Sequence, residues 1–195
     1  MSAVGIDLAG VPTRPTGVCT LDRRFTARTT VLHTDDEIHT YVRRVRPAVI
    51  AVDAPLALPL GRRSLDEPQP PHLRACDREL LRMGIRFFPV TLGPMRKLTA
   101  RGMRLRQTFE ERGYHVIEVY PGAAQDIWSV PRKQHGVEAL RAALARRGIR
   151  GDIDRPSLTD HELDAITAAL VGQHYLQGRY RAIGDRREVL MILPA

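Results

Sequence analysis

Four carboxylates sit where an ordinary solvated acid would not. Asp7 interrupts the apolar run Val4-Gly5-Ile6-Asp7-Leu8-Ala9-Gly10, and Asp53 ends Val49-Ile50-Ala51-Val52. Glu118 lies inside Val116-Ile117-Glu118-Val119-Tyr120, and Asp164 inside Leu163-Asp164-Ala165-Ile166. A carboxylate in such company loses hydration and needs a cation or several hydrogen bonds to stay ionised. Divalent-metal chemistry asks for several of them together, because Mg²⁺ and Mn²⁺ take hard oxygen ligands. Two such ions, about 3.5–4 Å apart, activate water and stabilise the leaving oxygen in phosphodiester hydrolysis. Asp7, Asp53, Glu118 and Asp164 are therefore candidate catalytic residues.

Asp160 lies one helical turn before Asp164 and shares its face, which makes it a further candidate metal ligand beside Asp7, Asp53 and Asp164. It also follows Thr159 in the capping box Thr159-Asp160-His161-Glu162, where an acid serves the helix dipole. The other acids have plainer explanations too. Asp7 can bind turn amides ahead of Gly10, a glycine that would also give a ligand close access. Asp53 can cap the turn at Ala54-Pro55, and Glu118 or Asp164 can pair with an arginine. His115 and His161 could serve as proton carriers but read better as packed or surface histidines, and Asp35, Asp36 and Glu37 as helix-start charges.

The 195 residues carry 30 Lys+Arg against 22 Asp+Glu, a net charge of +8 that favours anionic partners. Only Lys97 and Lys133 are lysines, so 28 of the 30 are arginine. The basic charge concentrates between residues 86 and 113, where seven basic side chains face only Glu110 and Glu111. Lys97, Arg101 and Arg104 fall at i, i+4 and i+7, a spacing that puts them on one helical face as candidate nucleic-acid contacts. The helix start at Gly93-Pro94 could offer free amides to a phosphate. Aromatic residues make up 5% of the chain, and Phe87-Phe88 reads as core, so base stacking has little support. Cys19 and Cys76 form no Cys-x-x-Cys pair, which excludes a cysteine-based zinc site and a disulfide framework. No apolar run approaches the roughly 18 residues of a membrane span, and no signal-peptide core precedes Asp7. A cytoplasmic protein is expected.

The elements that must position these residues follow from pattern. Residues 3–8, 17–22 and 25–33 read as three strands joined by tight turns. Thr34-Asp35-Asp36-Glu37 caps a helix with Ile38, Val42 and Val45 on one face. Residues 48–52 read as a buried strand. A Pro/Arg-rich insertion at about 55–113 contains helices near 73–83 and from Pro94 to Arg112. A strand at 115–120 is stopped by Pro121-Gly122. Helices at 133–147 and 159–176 and a short strand at 188–193 complete the chain. Three hairpin-linked strands and a helix-crossed fourth predict a single α/β domain over 1–195, with a mixed sheet and helices on both faces.

At these residues the chain resembles a known family. The segments Val4–Gly10, Ala51-Val52-Asp53-Ala54-Pro55-Leu56, Ile117-Glu118-Val119-Tyr120-Pro121 and Asp160-His161-Glu162-Leu163-Asp164-Ala165 are similar, in this order, to the domain of unknown function 429 family, described as predicted ribonuclease H-like nucleases. Arg74-Ala75-Cys76-Asp77, Phe87-Phe88-Pro89 and the tail from Ile183 to Pro194 are similar as well. The resemblance implies a ribonuclease H-like fold with Asp7 in strand one, Asp53 at the end of strand four, and Asp160 and Asp164 in the last core helix, a pairing also found in Holliday-junction resolvases. It implies one or two Mg²⁺ or Mn²⁺ ions and a nuclease acting on DNA or RNA. Glu118 matches the family's Glu-Val-Tyr-Pro segment and not a general superfamily ligand, which leaves metal binding and substrate contact both open. A nucleotide-binding phosphotransferase of the same superfamily, with a homodimer supplying a second lobe, is one alternative. A non-catalytic nucleic-acid-binding module is the other.

Overall fold

The apolar run at the N-terminus becomes the middle of the sheet in a computed structural model that describes all residues, 1–195. Strand β1 (Ala3–Asp7) pairs antiparallel with β2 (Thr16–Leu21), and β2 with β3 (Thr26–Leu32). Helix α1 (Asp35–Val45) starts at Thr34, whose Oγ1 accepts from the Glu37 amide while the Glu37 carboxylate accepts from the Thr34 amide. The helix carries the chain across to β4 (Val49–Asp53), parallel to β1.

The insertion then contributes α2 (Ala75–Arg82) and α3 (Gly93–Glu111) before β5 (Val116–Val119) joins β4 in parallel. Next come α4 (Pro121–Ile127), a single 3₁₀ turn at Lys133–His135, α5 (Val137–Arg146), the two-residue β6 (Arg150–Gly151) and α6 (Asp160–Leu176). Strands β7 (Tyr180–Ile183) and β8 (Met191–Pro194) close the chain. The sheet order is β6-β3-β2-β1-β4-β5-β8-β7. No helix is long and apolar enough to cross a membrane.

Three elements depart from the sequence pattern. Pro121-Gly122 ends β5 as expected but also starts α4, with Pro121 in the first turn, where its missing amide hydrogen is no loss. Strands β6 and β7 add edges that short, polar segments did not announce.

Side chains alternate between the two faces of the sheet. Val4, Ile6, Ile50 and Val52 pack against Ile38 and Val42 of α1 and Leu105 and Phe109 of α3. Ala3 and Ala51 pack on the opposite face against Ala168 and Val171 of α6. Gly5 shows how close α6 comes: a Cβ there would lie 2.1 Å from the Ala165 carbonyl oxygen. A Cβ at Gly17 would meet the His161 carbonyl at 2.1 Å. Small residues on both partners thus let α6 lie directly on β1 and β2, most of its circumference buried. That approach brings Asp164 to the sheet.

Candidate active site

Asp7 and Asp53 end adjacent parallel strands in register, Cα opposite Cα. Their side chains belong to the α6 face of the sheet, because Ala51 and Gly5, two residues earlier on each strand, face that helix. Asp164 comes to meet them from the first half of α6. Its Oδ1 accepts from Gln125 Nε2 at 2.9 Å, and its Oδ2 lies 2.9 Å from Lys133 Nζ. Lys133 also reaches Asp160 Oδ2 at 3.3 Å. Asp7 Oδ2 is 2.7 Å from His161 Nδ1. Asp53 takes no hydrogen bond from the protein; its surroundings act on it only by burial and by charge.

The electrostatics follow from that inventory. Burial, then Asp7 and Asp164, push the Asp53 carboxyl well above the usual carboxylate range. Asp164 is raised by burial and by Asp7, with Lys133 and Gln125 holding it back. Burial opposes the charge on Asp160, but Lys133 and His161 keep it below its ordinary value. The hydrogen bond to Asp7 raises His161. Like charges held together in a desolvated site attract a cation. Lys133 supplies one, at the outer edge of the cluster beside Asp160 and Asp164.

The hard oxygens of Asp7, Asp53 and Asp164 suit Mg²⁺ or Mn²⁺, and the unmet carboxylate of Asp53 is the clearest reason to expect one. As the side chains stand, no three His, Cys, Asp or Glu residues converge tightly enough to hold an ion. Both oxygens of Asp164 are engaged, Oδ1 by Gln125 and Oδ2 by Lys133.

Glu118 does not join this set. It pairs in register with Val52, so its side chain belongs to the opposite face of the sheet from Asp53. There Oε2 accepts from Arg74 Nη1 at 2.7 Å and from the Leu56 amide at 2.8 Å. Arg74 also binds Asp77 at 3.0 Å, and all three side chains are buried. Burial works against the Arg74 charge, but Glu118 and Asp77 more than offset it and hold the guanidinium well above its ordinary range. The second oxygen of Glu118, Oε1, is buried without a partner.

The basic face expected on α3 also divides. Lys97 and Arg104 are exposed, but Arg101 is only 1% exposed and makes no nucleic-acid contact surface. It donates to Asp35 Oδ1 at 2.7 Å, to the Ala9 carbonyl at 2.7 Å and to the His33 carbonyl at 2.6 Å. At 3.6 residues per turn Arg101 is rotated roughly 40° from Lys97 toward the apolar stripe, enough to turn it inward. Its bond to Ala9 ties α3 to the loop that follows Asp7. Gly10 serves the same contact: a Cβ there would lie 3.2 Å from the Leu98 amide nitrogen, so the glycine admits the helix rather than a phosphate.

Phe88, expected in the core, is 69% exposed. It borders a cavity of about 320 Å³ that Asp7, Asp53 and Asp164 also line.

His161, Lys133 and Gln125 are site residues that the pattern of acids did not reveal. Gln125 lies on the unanticipated α4, and His161 looks like any polar residue in a first helical turn. Lys133 did carry a signal, as one of two lysines in a chain that otherwise uses arginine.

A mixed sheet with an antiparallel β1-β2-β3 meander, parallel β4 and β5, helices on both faces and acids at the ends of β1 and β4 defines the ribonuclease H-like fold. The fold is similar to that of Thermus thermophilus RuvC in complex with a Holliday junction substrate, at a TM-score of 0.54 and 15% identity over 91% of this chain and 97% of that one. It is also similar to Thermus thermophilus RuvC in a second structure, at a TM-score of 0.51 and 17% identity over the same shares of the two chains. The chain belongs to the family described as "Protein of unknown function (DUF429)", whose model matches residues 5–189. A search of curated proteins gives no match.

Proposed function

We propose that this protein is a divalent-metal-dependent nuclease that hydrolyses phosphodiester bonds of DNA or RNA. One observation carries the reading: Asp53 takes no hydrogen bond from the protein, lies in register with Asp7, and has its ionised form opposed by burial and by the charges of Asp7 and Asp164. The likeness of the fold to a RuvC bound to a branched DNA supports nucleic acid as the partner.

In this reading Asp7, Asp53 and Asp164 hold Mg²⁺ or Mn²⁺, with Asp160 at the rim. A bound ion supplies Lewis acidity toward a phosphoryl oxygen and eases deprotonation of water. The protein's own residues do the rest. His161 fixes the orientation of the Asp7 carboxylate through Nδ1, and Gln125 fixes that of Asp164. Lys133 keeps a positive charge at the mouth of the site, where a phosphate backbone must enter. Lys97 and Arg104, exposed on α3, contribute backbone affinity without sequence information.

The test is cleavage of single-stranded, duplex, hybrid and branched nucleic acids with Mg²⁺ or Mn²⁺, wild type against Asp53→Asn. Metal-dependent cleavage that the substitution abolishes supports the reading. Absence of cleavage on every substrate, or cleavage that survives the substitution, contradicts it.

A further inference from the structure

We infer that the cavity beside the carboxylates is a subsite for one unpaired nucleotide, with its base against Phe88. The inference deepens the nuclease reading, since it names the part of a nucleic acid that the site takes.

Two kinds of side chain line the cavity of about 320 Å³. Leu80, Phe87, Phe88, Met95, Leu98 and Met191 are apolar. Asp7, Asp53 and Asp164 bring carboxylates, and Arg132 and Lys133 bring cations. A ligand that fits both needs a flat apolar body and an anionic group attached to it. A nucleotide has that composition, and a base stacks on an aromatic face whatever its identity. The volume is at the lower end of ligand cavities, about 300–1,000 Å³, which suits one nucleotide and not a base pair. A base inside a duplex hides its faces against its neighbours and must leave the stack to enter such a pocket, most readily where it is already unpaired.

Two further observations favour an occupant of this kind. Phe88 lines the cavity and is 69% exposed, so its ring has no partner within the protein that covers it. Phe87 meanwhile packs against the Leu80 and Met191 cluster and braces the loop that presents Phe88. On the inner wall Glu118, 1% exposed, carries the buried acceptor Oε1 that no group in the protein satisfies. Every base carries an N–H donor on its Watson–Crick edge, the edge by which an unstacked base is read.

The experiment measures binding in EDTA, so that cleavage plays no part. Fluorescein-labelled oligonucleotides are compared by anisotropy: a single strand, a duplex with one bulged nucleotide, and the perfect duplex. Phe88 lies on the surface, so its variants fold, and unchanged melting temperatures verify this. Phe88→Ala is expected to weaken binding of the single strand and the bulged duplex by roughly 5- to 150-fold. Phe88→Tyr is expected to restore it, and the perfect duplex to bind all three proteins alike. Equal binding of the bulged duplex by wild type and Phe88→Ala overturns the inference. A parallel titration with AMP distinguishes the source of the nucleotide. Phe88-dependent binding of AMP alone, with the strands indifferent to the substitution, overturns the strand-borne subsite. The two readings fail separately. Asp53-dependent cleavage without any Phe88 effect leaves the nuclease and removes the subsite. Phe88-dependent binding without metal-dependent cleavage does the reverse.

Discussion

Two groups of buried acids stand at the same edge of one sheet, and the protein treats them in opposite ways. On the α2–α3 face, Glu118 and Asp77 close around Arg74, and every charge has a partner of the other sign. On the α6 face, one residue further along β4, the charges acting on Asp53 are the like charges of Asp7 and Asp164, opposed by Lys133 alone. The first group ties the insertion to the sheet, since Glu118 accepts from the Leu56 amide and Asp77 from the Arg74 amide. The second group is destabilised by its own composition. Arrangements of that kind persist where a function needs them, at the expense of stability. Position at a strand end is therefore a poor guide to role, and the local balance of charge is a good one.

The sharpest way to break this contrast is to remove the counter-ion of the first group. Arg74→Ala leaves Glu118 and Asp77 buried and uncompensated, and should lower unfolding free energy by about 3–5 kcal/mol in urea denaturation. A loss below 1 kcal/mol would show that the network is not the tie described. Arg101→Ala should cost roughly 1.5–3 kcal/mol, because three acceptors lose a charged donor and a buried side chain is removed. A loss within the range of ordinary surface substitutions would mean that the bonds to Ala9, His33 and Asp35 are not maintained.

The acid cluster should respond with the opposite sign. Asp53→Asn removes a repelled charge and should stabilise the metal-free protein by about 1 kcal/mol, or 2–4 °C in melting temperature. Lys133→Ala should do the reverse in metal-free buffer and enlarge the stabilisation that Mn²⁺ brings, since the ammonium no longer competes for Asp164. A melting curve of each variant with and without Mn²⁺ decides both. Smallest in stability are Lys97→Ala and Arg104→Ala, each within about 0.5 kcal/mol of wild type. Each should nonetheless reduce the salt slope of nucleic-acid binding by about one unit. An unchanged slope would remove α3 from the interface.

Much of the fold is legible from pattern. Apolar runs mark β1 and β4, Thr- and Val-rich segments between tight turns mark β2 and β3, a capping box marks α1, and small residues around Asp164 foretell a helix lying tight on the sheet. Pro121-Gly122 misleads because proline both ends a strand and begins a helix, and only the tertiary setting shows that it does both. The acids in apolar runs are visible for one physical reason, their misplaced charge, but that signal cannot separate Glu118 from Asp53. The separation depends on which face each residue takes and on a partner, Arg74, that lies 44 residues away in sequence. The roles of His161 and Gln125 stay hidden for a related reason: a polar side chain near a helix start needs no explanation until its neighbour across the fold is known. Arg101 shows the limit of helical spacing, where a rotation of roughly 40° separates a solvated residue from a buried one.

The most direct test of the acid cluster as a cation site is thermal melting with Mn²⁺, wild type against Asp53→Asn. At an ion concentration near 100 times the dissociation constant, binding to the native state alone adds about 2.7 kcal/mol, or roughly 5–11 °C for a chain of this size. The account predicts that rise for the wild type, and for Asp53→Asn a higher starting melting temperature with little further rise. No rise in the wild type at millimolar Mn²⁺, or an equal rise in both proteins, would contradict it.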